Sequence, residues 1–138
     1  MTTFTIEYRV IYGDSDPFDV MYYARYLDLF ERGRTECMRS LGVSYRELEE
    51  QGIYSPVREV NCRYRQSVRY DDLLVIETSI SRVKKASMRF NHFVYRKKPR
   101  TLLAEGYTDH AFVSEARKPV PIPDVLAEKL QKLLGNGQ

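Results

Sequence analysis

Phe4, Ile6, Tyr8, Val10 and Tyr12 alternate with Thr5, Glu7 and Arg9, and a period of two is what a strand with one buried face requires. The pattern predicts a first strand over about residues 3–12. It breaks at Gly13-Asp14-Ser15-Asp16-Pro17-Phe18-Asp19, a run dense in turn formers. Asp19 closes that run where a side-chain oxygen would accept from the free N–H groups of a helix, so a helix is predicted to start near Val20 to Tyr22. Apolar or small residues then recur at Tyr22, Tyr26, Leu29, Phe30, Gly33, Cys37 and Leu41. Spacings of three and four trace one buried stripe along a helix of about twenty residues and about 30 Å, which Gly42 ends. Gly33 lies midway along the stripe, where the missing side chain lets a sheet come close.

A short helix is predicted over Ser44 to Gln51, with Ser44 as cap and Glu47 three residues on. Four strands follow, at about residues 56–68, 73–83, 86–96 and 101–115, the second showing Leu74, Ile76, Thr78 and Ile80 on one face. Tyr70-Asp71-Asp72, Lys84-Lys85-Ala86 and Lys98-Pro99-Arg100 supply the turns between them. Pro121-Ile122-Pro123-Asp124 opens a terminal helix with Leu126, Leu130, Leu133 and Leu134 turned inward. One strand, one long helix and four consecutive strands imply an α+β class, an antiparallel five-stranded sheet wrapped around one central helix. No linker, repeat or low-complexity stretch divides residues 1–138, so a single domain is expected. Its sheet leaves one face uncovered by any helix, and oligomerisation is the expected remedy.

Composition narrows the function. With 43% hydrophobic and 30% charged residues the chain can bury an ordinary core. It has neither a signal-like leader nor an apolar run of membrane-spanning length, so a cytoplasmic protein without a membrane span is expected. Cys37 and Cys62 follow no metal or redox spacing and are read as reduced. His92 and His110 are the only histidines; they are too few for a His-rich metal site, fall in predicted strands and are read as packing residues. No metal and no cofactor is expected. The net charge is +3, yet the segment Arg82 to Arg100 holds eight basic residues and no acidic one, a local field that attracts anions. Nothing beside it resembles an aromatic-basic recognition motif, so nucleic acid is not the expected partner. Asp14-Ser15-Asp16 lacks the glycine and closing glutamate of a calcium loop, and no nucleophile-elbow serine or phosphate-binding glycine loop occurs.

The stretch YGDSDPFDVMYYARYLDLFERGR, Tyr12 to Arg34, resembles the signature of the 4-hydroxybenzoyl-CoA thioesterase family of hotdog proteins. In that signature an Asp-x-Asp core and an aromatic-rich segment lead into the central helix. YDDLLVIETSISRVKK, Tyr70 to Lys85, resembles the family's long strand and the basic turn after it. The resemblance spans essentially the whole chain and implies a hotdog fold hydrolysing acyl-CoA thioesters, the coenzyme A being part of the substrate. It also implies a homodimer or homotetramer with active sites at the subunit interface. The second aspartate of the core, Asp16, is implied as nucleophile or general base, and the backbone N–H of Tyr23 as the donor that polarises the carbonyl.

Those roles fit elementary chemistry, because the start of a helix offers unpaired N–H groups and a positive dipole end where negative charge builds on oxygen. Asp14 is expected to fix the loop. Lys84 and Lys85, with Arg89 behind them, are the residues the resemblance implies for the phosphates of coenzyme A. Glu31 and Arg34 on the helix are expected to orient the loop, form the dimer contact or simply pair with each other. The family usually has small residues, often glycine, where this chain has Phe18 and Asp19. A crowded pocket would favour the alternative, a non-catalytic hotdog module that binds acyl-CoA or acyl carrier protein. A hydratase is disfavoured, since no histidine lies between residues 12 and 35.

Overall fold

A computed structural model describes residues 2–136. Strand β1 (Phe4–Arg9) is followed by a single 3-10 turn (Tyr12–Asp14), helix α1 (Arg25–Ser40) and helix α2 (Tyr45–Glu50). Then come β2 (Val57–Tyr64), β3 (Leu73–Ser81), β4 (Ser87–Arg96), β5 (Thr101–Ala111) and helix α3 (Asp124–Asn136). The five strands form one antiparallel sheet in the order β1-β3-β4-β5-β2. The α+β hotdog architecture read from the sequence is the one observed. Leu74, Ile76, Thr78 and Ile80 face α1 and are buried, as their alternation requires. Ser44 caps α2 by accepting from the Glu47 N–H at 3.1 Å.

Two boundaries differ from the sequence pattern. β1 ends at Arg9, because Val10 leaves the ladder to exchange hydrogen bonds with Asp71 and Asp72. The long helix begins at Arg25 rather than near Val20 to Tyr22, and Asp19 does not cap it. Residues 15–21 fold back as a small hairpin instead: Ser15 bridges Met21, and the Asp16 N–H donates to the Val20 carbonyl at 2.9 Å. Met21 then donates to Val68 and Tyr22 to Asp14. Backbone N–H groups that find partners in neighbouring segments cannot also start a helix.

α1 lies across β3, β1 and β4 and buries Tyr26, Leu29, Phe30, Gly33, Cys37 and Met38. The core falls in two parts. One, around Leu29, Phe30, Leu74 and Ile76, sits beneath the first half of α1. The other, around Met38, Ile80, Phe90, Phe112, Leu126 and Leu130, is closed by α2 and α3. Of the four α3 leucines, Leu126 and Leu130 are buried, while Leu133 and Leu134 are half-exposed near the helix end. The outer face of the sheet carries its own cover of charged and aromatic side chains. Lys97 pairs with Glu7, Arg100 pairs with Glu77 and lies over Tyr95, and Arg89 pairs with Asp109 and lies over Tyr107. On the edge strand β2, Val57, Val60 and Tyr64 are all near half-exposed.

Two glycines set close approaches. A Cβ on Gly33 would meet the Thr78 side chain at 2.5 Å, and one on Gly106 would lie 1.9 Å from the Asn61 backbone carbonyl oxygen. Side chains can turn aside, whereas a paired strand must move as a unit. Gly106→Ala is therefore expected to cost about 2 kcal/mol or more. Gly33→Ala costs less, because the better helix propensity of alanine returns up to about 1 kcal/mol. Urea unfolding midpoints of the two variants check the order.

Candidate active site

The loop between β1 and α1 is tied by Asp14. Its buried carboxylate accepts from the Tyr8 hydroxyl at 2.7 Å and the Ile11 N–H at 2.9 Å, and the Arg25 guanidinium stands 3.8 Å away. Its carbonyl accepts from Tyr22 at 2.8 Å. The reading of Asp14 as the residue that fixes the loop is what the hydrogen bonds support.

Asp16 follows two residues later and is half-buried. One carboxylate oxygen, Oδ1, accepts from the Phe18 N–H at 2.8 Å, the turn-forming use expected of aspartate before proline. Among the described residues Oδ2 has no partner. Asp16 lines a groove of about 340 Å³ with Val20, Met21, Tyr23, Tyr64 and Arg65. The Tyr23 N–H donates to no acceptor among the described residues, and the peptide behind it is held because the Tyr64 hydroxyl donates to the Tyr23 carbonyl at 3.2 Å. Tyr26 packs edge-on against Tyr64, ring centroids 4.9 Å apart. Burial pushes both phenols up to about 12, so they stay protonated donors at neutral pH. Asp16 and Tyr23 thus both line one groove ahead of α1, whose N-cap residue Ala24 supplies no side-chain cap.

Phe18 and Asp19 do not crowd that groove. Phe18 is 84% exposed, and Asp19 is exposed with φ 65°, the left-handed conformation that glycine adopts freely and aspartate tolerates. Asp19 meets that shape at modest strain.

The three basic residues lie elsewhere. Lys84 and Lys85 are exposed in the turn after β3, whereas the Asp16 loop is anchored at the β3 start, beside Val68 and Asp72. The length of β3, about 26 Å at the usual rise, separates them within one chain. Arg89 is on the outer sheet face with a side chain only 12% exposed. It makes a two-pronged pair with Asp109 at 2.6 and 2.8 Å and a further contact with Glu59 at 3.8 Å. Its fork is already filled.

Sequence patterning missed Tyr64, whose role depends on a neighbour 41 residues away. It also missed a second, larger cleft of about 730 Å³ lined by Glu31, Arg34, Tyr45, Tyr54 and Ser55. Beneath that cleft, inside the sheet, His92 and His110 meet at one hydroxyl: each Nε2 is 3.0 Å from Thr108 Oγ1. His110 Nδ1 lies 3.2 Å from the Ser55 carbonyl, which can only accept, so that nitrogen carries the proton. Thr108 then donates to His110 Nε2 and accepts from His92 Nε2–H, leaving His92 Nδ1 without a partner. Phe30 stacks on His92 at 4.3 Å. These are packed histidines, as their isolation in the sequence suggests.

The match to known proteins is continuous with this geometry. Residues 10–130 match the model of the thioesterase-like superfamily. The chain belongs to that superfamily. The acyl-CoA thioesterase YbgC of Haemophilus influenzae is 37% identical over 122 residues, covering 87% of this chain and 88% of that protein. The acyl-CoA thioester hydrolase YbgC of Escherichia coli is 34% identical over 105 residues, 76% of this chain and 78% of that one. Among solved structures, the DHNA-CoA thioesterase of Staphylococcus aureus superposes with a TM-score of 0.91 at 26% identity, covering 100% of this chain and 97% of that one. The 4-hydroxybenzoyl-CoA thioesterase of Pseudomonas sp. strain CBS-3 shares the fold, with a TM-score of 0.82 at 24% identity over 94% and 97% of the two chains. The superfamily membership matches the resemblance read from Tyr12–Arg34 and Tyr70–Lys85. No helix among the described residues is long and apolar enough to cross a membrane.

The buried histidines make stability depend on acid. Burial foremost, then the Arg34 charge, lowers His92 to about 3 and His110 to about 4, below the unfolded value near 6.5. A group neutral in the fold but charged when unfolded contributes stability that is complete above the unfolded pKa and is lost as pH falls toward the folded one. Unfolding free energy is thus expected to drop by about 2 kcal/mol per histidine between pH 7 and pH 5. Denaturant titrations across that range check it, with His92→Gln reducing the slope by about one proton.

Proposed function

We propose that this protein hydrolyses acyl-CoA thioesters, with Asp16 as nucleophile or general base and the Tyr23 N–H as the donor to the thioester oxygen. The observation that carries the reading is the pairing, in one groove, of a half-buried carboxylate with a free oxygen and an unpaired backbone donor ahead of a helix. As nucleophile, Asp16 adds to the carbonyl, the C–S bond breaks to release the coenzyme A thiolate, and water cleaves the resulting anhydride. As base, it takes a proton from water, whose hydroxide adds instead. In both routes charge gathers on the former carbonyl oxygen, where a positioned N–H acts most strongly. Membership of the thioesterase-like superfamily and the names of the YbgC relatives support the same reaction.

The protein works in this reading as a homodimer, or as two such dimers in a homotetramer. β2 is an unpaired edge carrying exposed Val57, Val60 and Tyr64, a surface that invites another strand. Pairing β2 with a second β2 in antiparallel fashion sets the Tyr64 end of one protomer against the Val57 end of the other. That operation also moves the partner's Lys84 and Lys85 end of the sheet to the Asp16 side, where they can attract the phosphates of coenzyme A. Arg89, already paired, is not given that task. The alternative, a binding module without turnover, drew its support from Phe18 and Asp19, and both are exposed away from the groove.

Asp16→Asn is expected to lower kcat on a good acyl-CoA by about a thousandfold, measured as thiol release; loss of only a few-fold defeats the proposal. Replacing Lys84 and Lys85 together by alanine raises KM several-fold with little change in kcat. The difference from the parent shrinks as salt is added.

A further inference from the structure

One wall of the Asp16 groove comes from the end of β2 and the residues after it, and a single hydroxyl joins that wall to the start of α1. Tyr64, the last residue of β2, pairs with Ala104 of β5. The Arg65 and Gln66 N–H groups next along both donate to the Leu103 carbonyl, at 2.8 and 3.1 Å, so the backbone of Tyr64 is fixed to the sheet on both sides. Its ring is fixed as well, standing edge-on to buried Tyr26. From that seat the hydroxyl reaches the Tyr23 carbonyl at 3.2 Å.

That carbonyl is otherwise loosely held. Arg25 closes the first turn by donating to Tyr22 at 2.9 Å, but the Tyr26 N–H approaches the Tyr23 carbonyl only to 3.4 Å, longer than an ordinary N–H···O bond. Ala24, at the N-cap, contributes no side-chain bond. The N–H groups of Tyr23 and Ala24 donate to no acceptor among the described residues. With free N–H groups and one long bond to its carbonyl, this stretch can rotate about the Tyr23 Cα, and rotation there turns the Tyr23 N–H away from any fixed point in the groove. The Tyr64 hydroxyl supplies the shorter of the two bonds to the carbonyl, and the same donation polarises the Tyr23–Ala24 peptide. Resting on the proposed hydrolysis, we infer that Tyr64 is a positioning residue for the reaction: by holding the Tyr23 carbonyl from β2 it aims the Tyr23 N–H at the thioester oxygen. Its effect falls on the barrier rather than on binding, because a misaimed N–H matters most when the oxygen carries most charge.

Tyr64→Phe removes the hydroxyl and keeps the ring against Tyr26. Its kcat on a good acyl-CoA, read as thiol release, is expected to fall about tenfold, less than for loss of the donor itself, while KM stays within about twofold. The urea midpoint stays near that of the parent, and in 1H–15N spectra the Tyr23 and Ala24 amides shift while those of the later turns of α1 do not. Tyr64→Met, which also lacks the hydroxyl, gives the same split should Tyr64→Phe fail to fold. A kcat within about twofold of the parent overturns the inference, and so does a raised KM at unchanged kcat, which would mean that the hydroxyl only touches bound substrate. Unmoved Tyr23 and Ala24 amides overturn it as well. Undiminished turnover by Asp16→Asn instead defeats the hydrolytic reading; the amide shifts need no substrate and still decide whether Tyr64 holds this peptide.

Discussion

The Asp14 carboxylate holds the part of the molecule on which the candidate chemistry depends. It is almost completely buried, and a buried carboxylate persists only when its oxygens are satisfied. Tyr8 on β1 and the Ile11 N–H both donate to Oδ2, and the Arg25 guanidinium on α1 stands near Oδ1, so a single residue links the strand, the loop and the helix start. The small hairpin carrying Asp16 hangs from that knot and from the Met21–Val68 hydrogen bond. A carboxylate kept in place by so many backbone bonds can afford to leave one of its own oxygens free.

A second constraint is the length of the sheet. The Asp16 groove lies at one end of the strands, and the basic turn and the larger cleft lie at the other. No side chain spans that separation. The outer sheet face carries its own ion pairs, and the β2 edge carries exposed Val57, Val60 and Tyr64. An antiparallel joining of two such edges is the operation that unites opposite ends, and it gives a physical reason for the proposed site to be shared between copies. The proposed oligomer is argued from that edge, and the sequence reading argued it from the sheet face.

Much of this was legible in residue order. Period-two runs marked β1 and β3, turn formers bounded the later strands, and the stripe from Tyr26 to Cys37 marked the helix and the need for glycine at its midpoint, where Thr78 comes close. Asp14 was legible as a loop residue, and Asp16 as the candidate beside it, through their motif. The start of α1 was not, because the N–H groups of Met21 and Tyr22 are claimed by Val68 and Asp14, one of them far along the chain. Arg89 belonged to a basic segment in sequence, but its cross-strand neighbour Asp109 fills its guanidinium. Arg34 resembled an ordinary surface partner for Glu31 until Tyr45 and Ser55 were seen around it.

By itself, then, the sequence determined the elements and their order, the inward side of β1 and β3 and the loop motif that carries the resemblance. Hydrophobic periodicity and turn chemistry are local, and local spacing records them. Only the tertiary structure decided which of two neighbouring aspartates is locked in place by Tyr8 and Ile11, which arginine is paired and which has no counter-ion among the described residues, and which ends of the sheet lie apart. Each of those outcomes depends on a partner brought from tens of residues away, and burial by such a partner, rather than residue type, sets what a charged group is free to do.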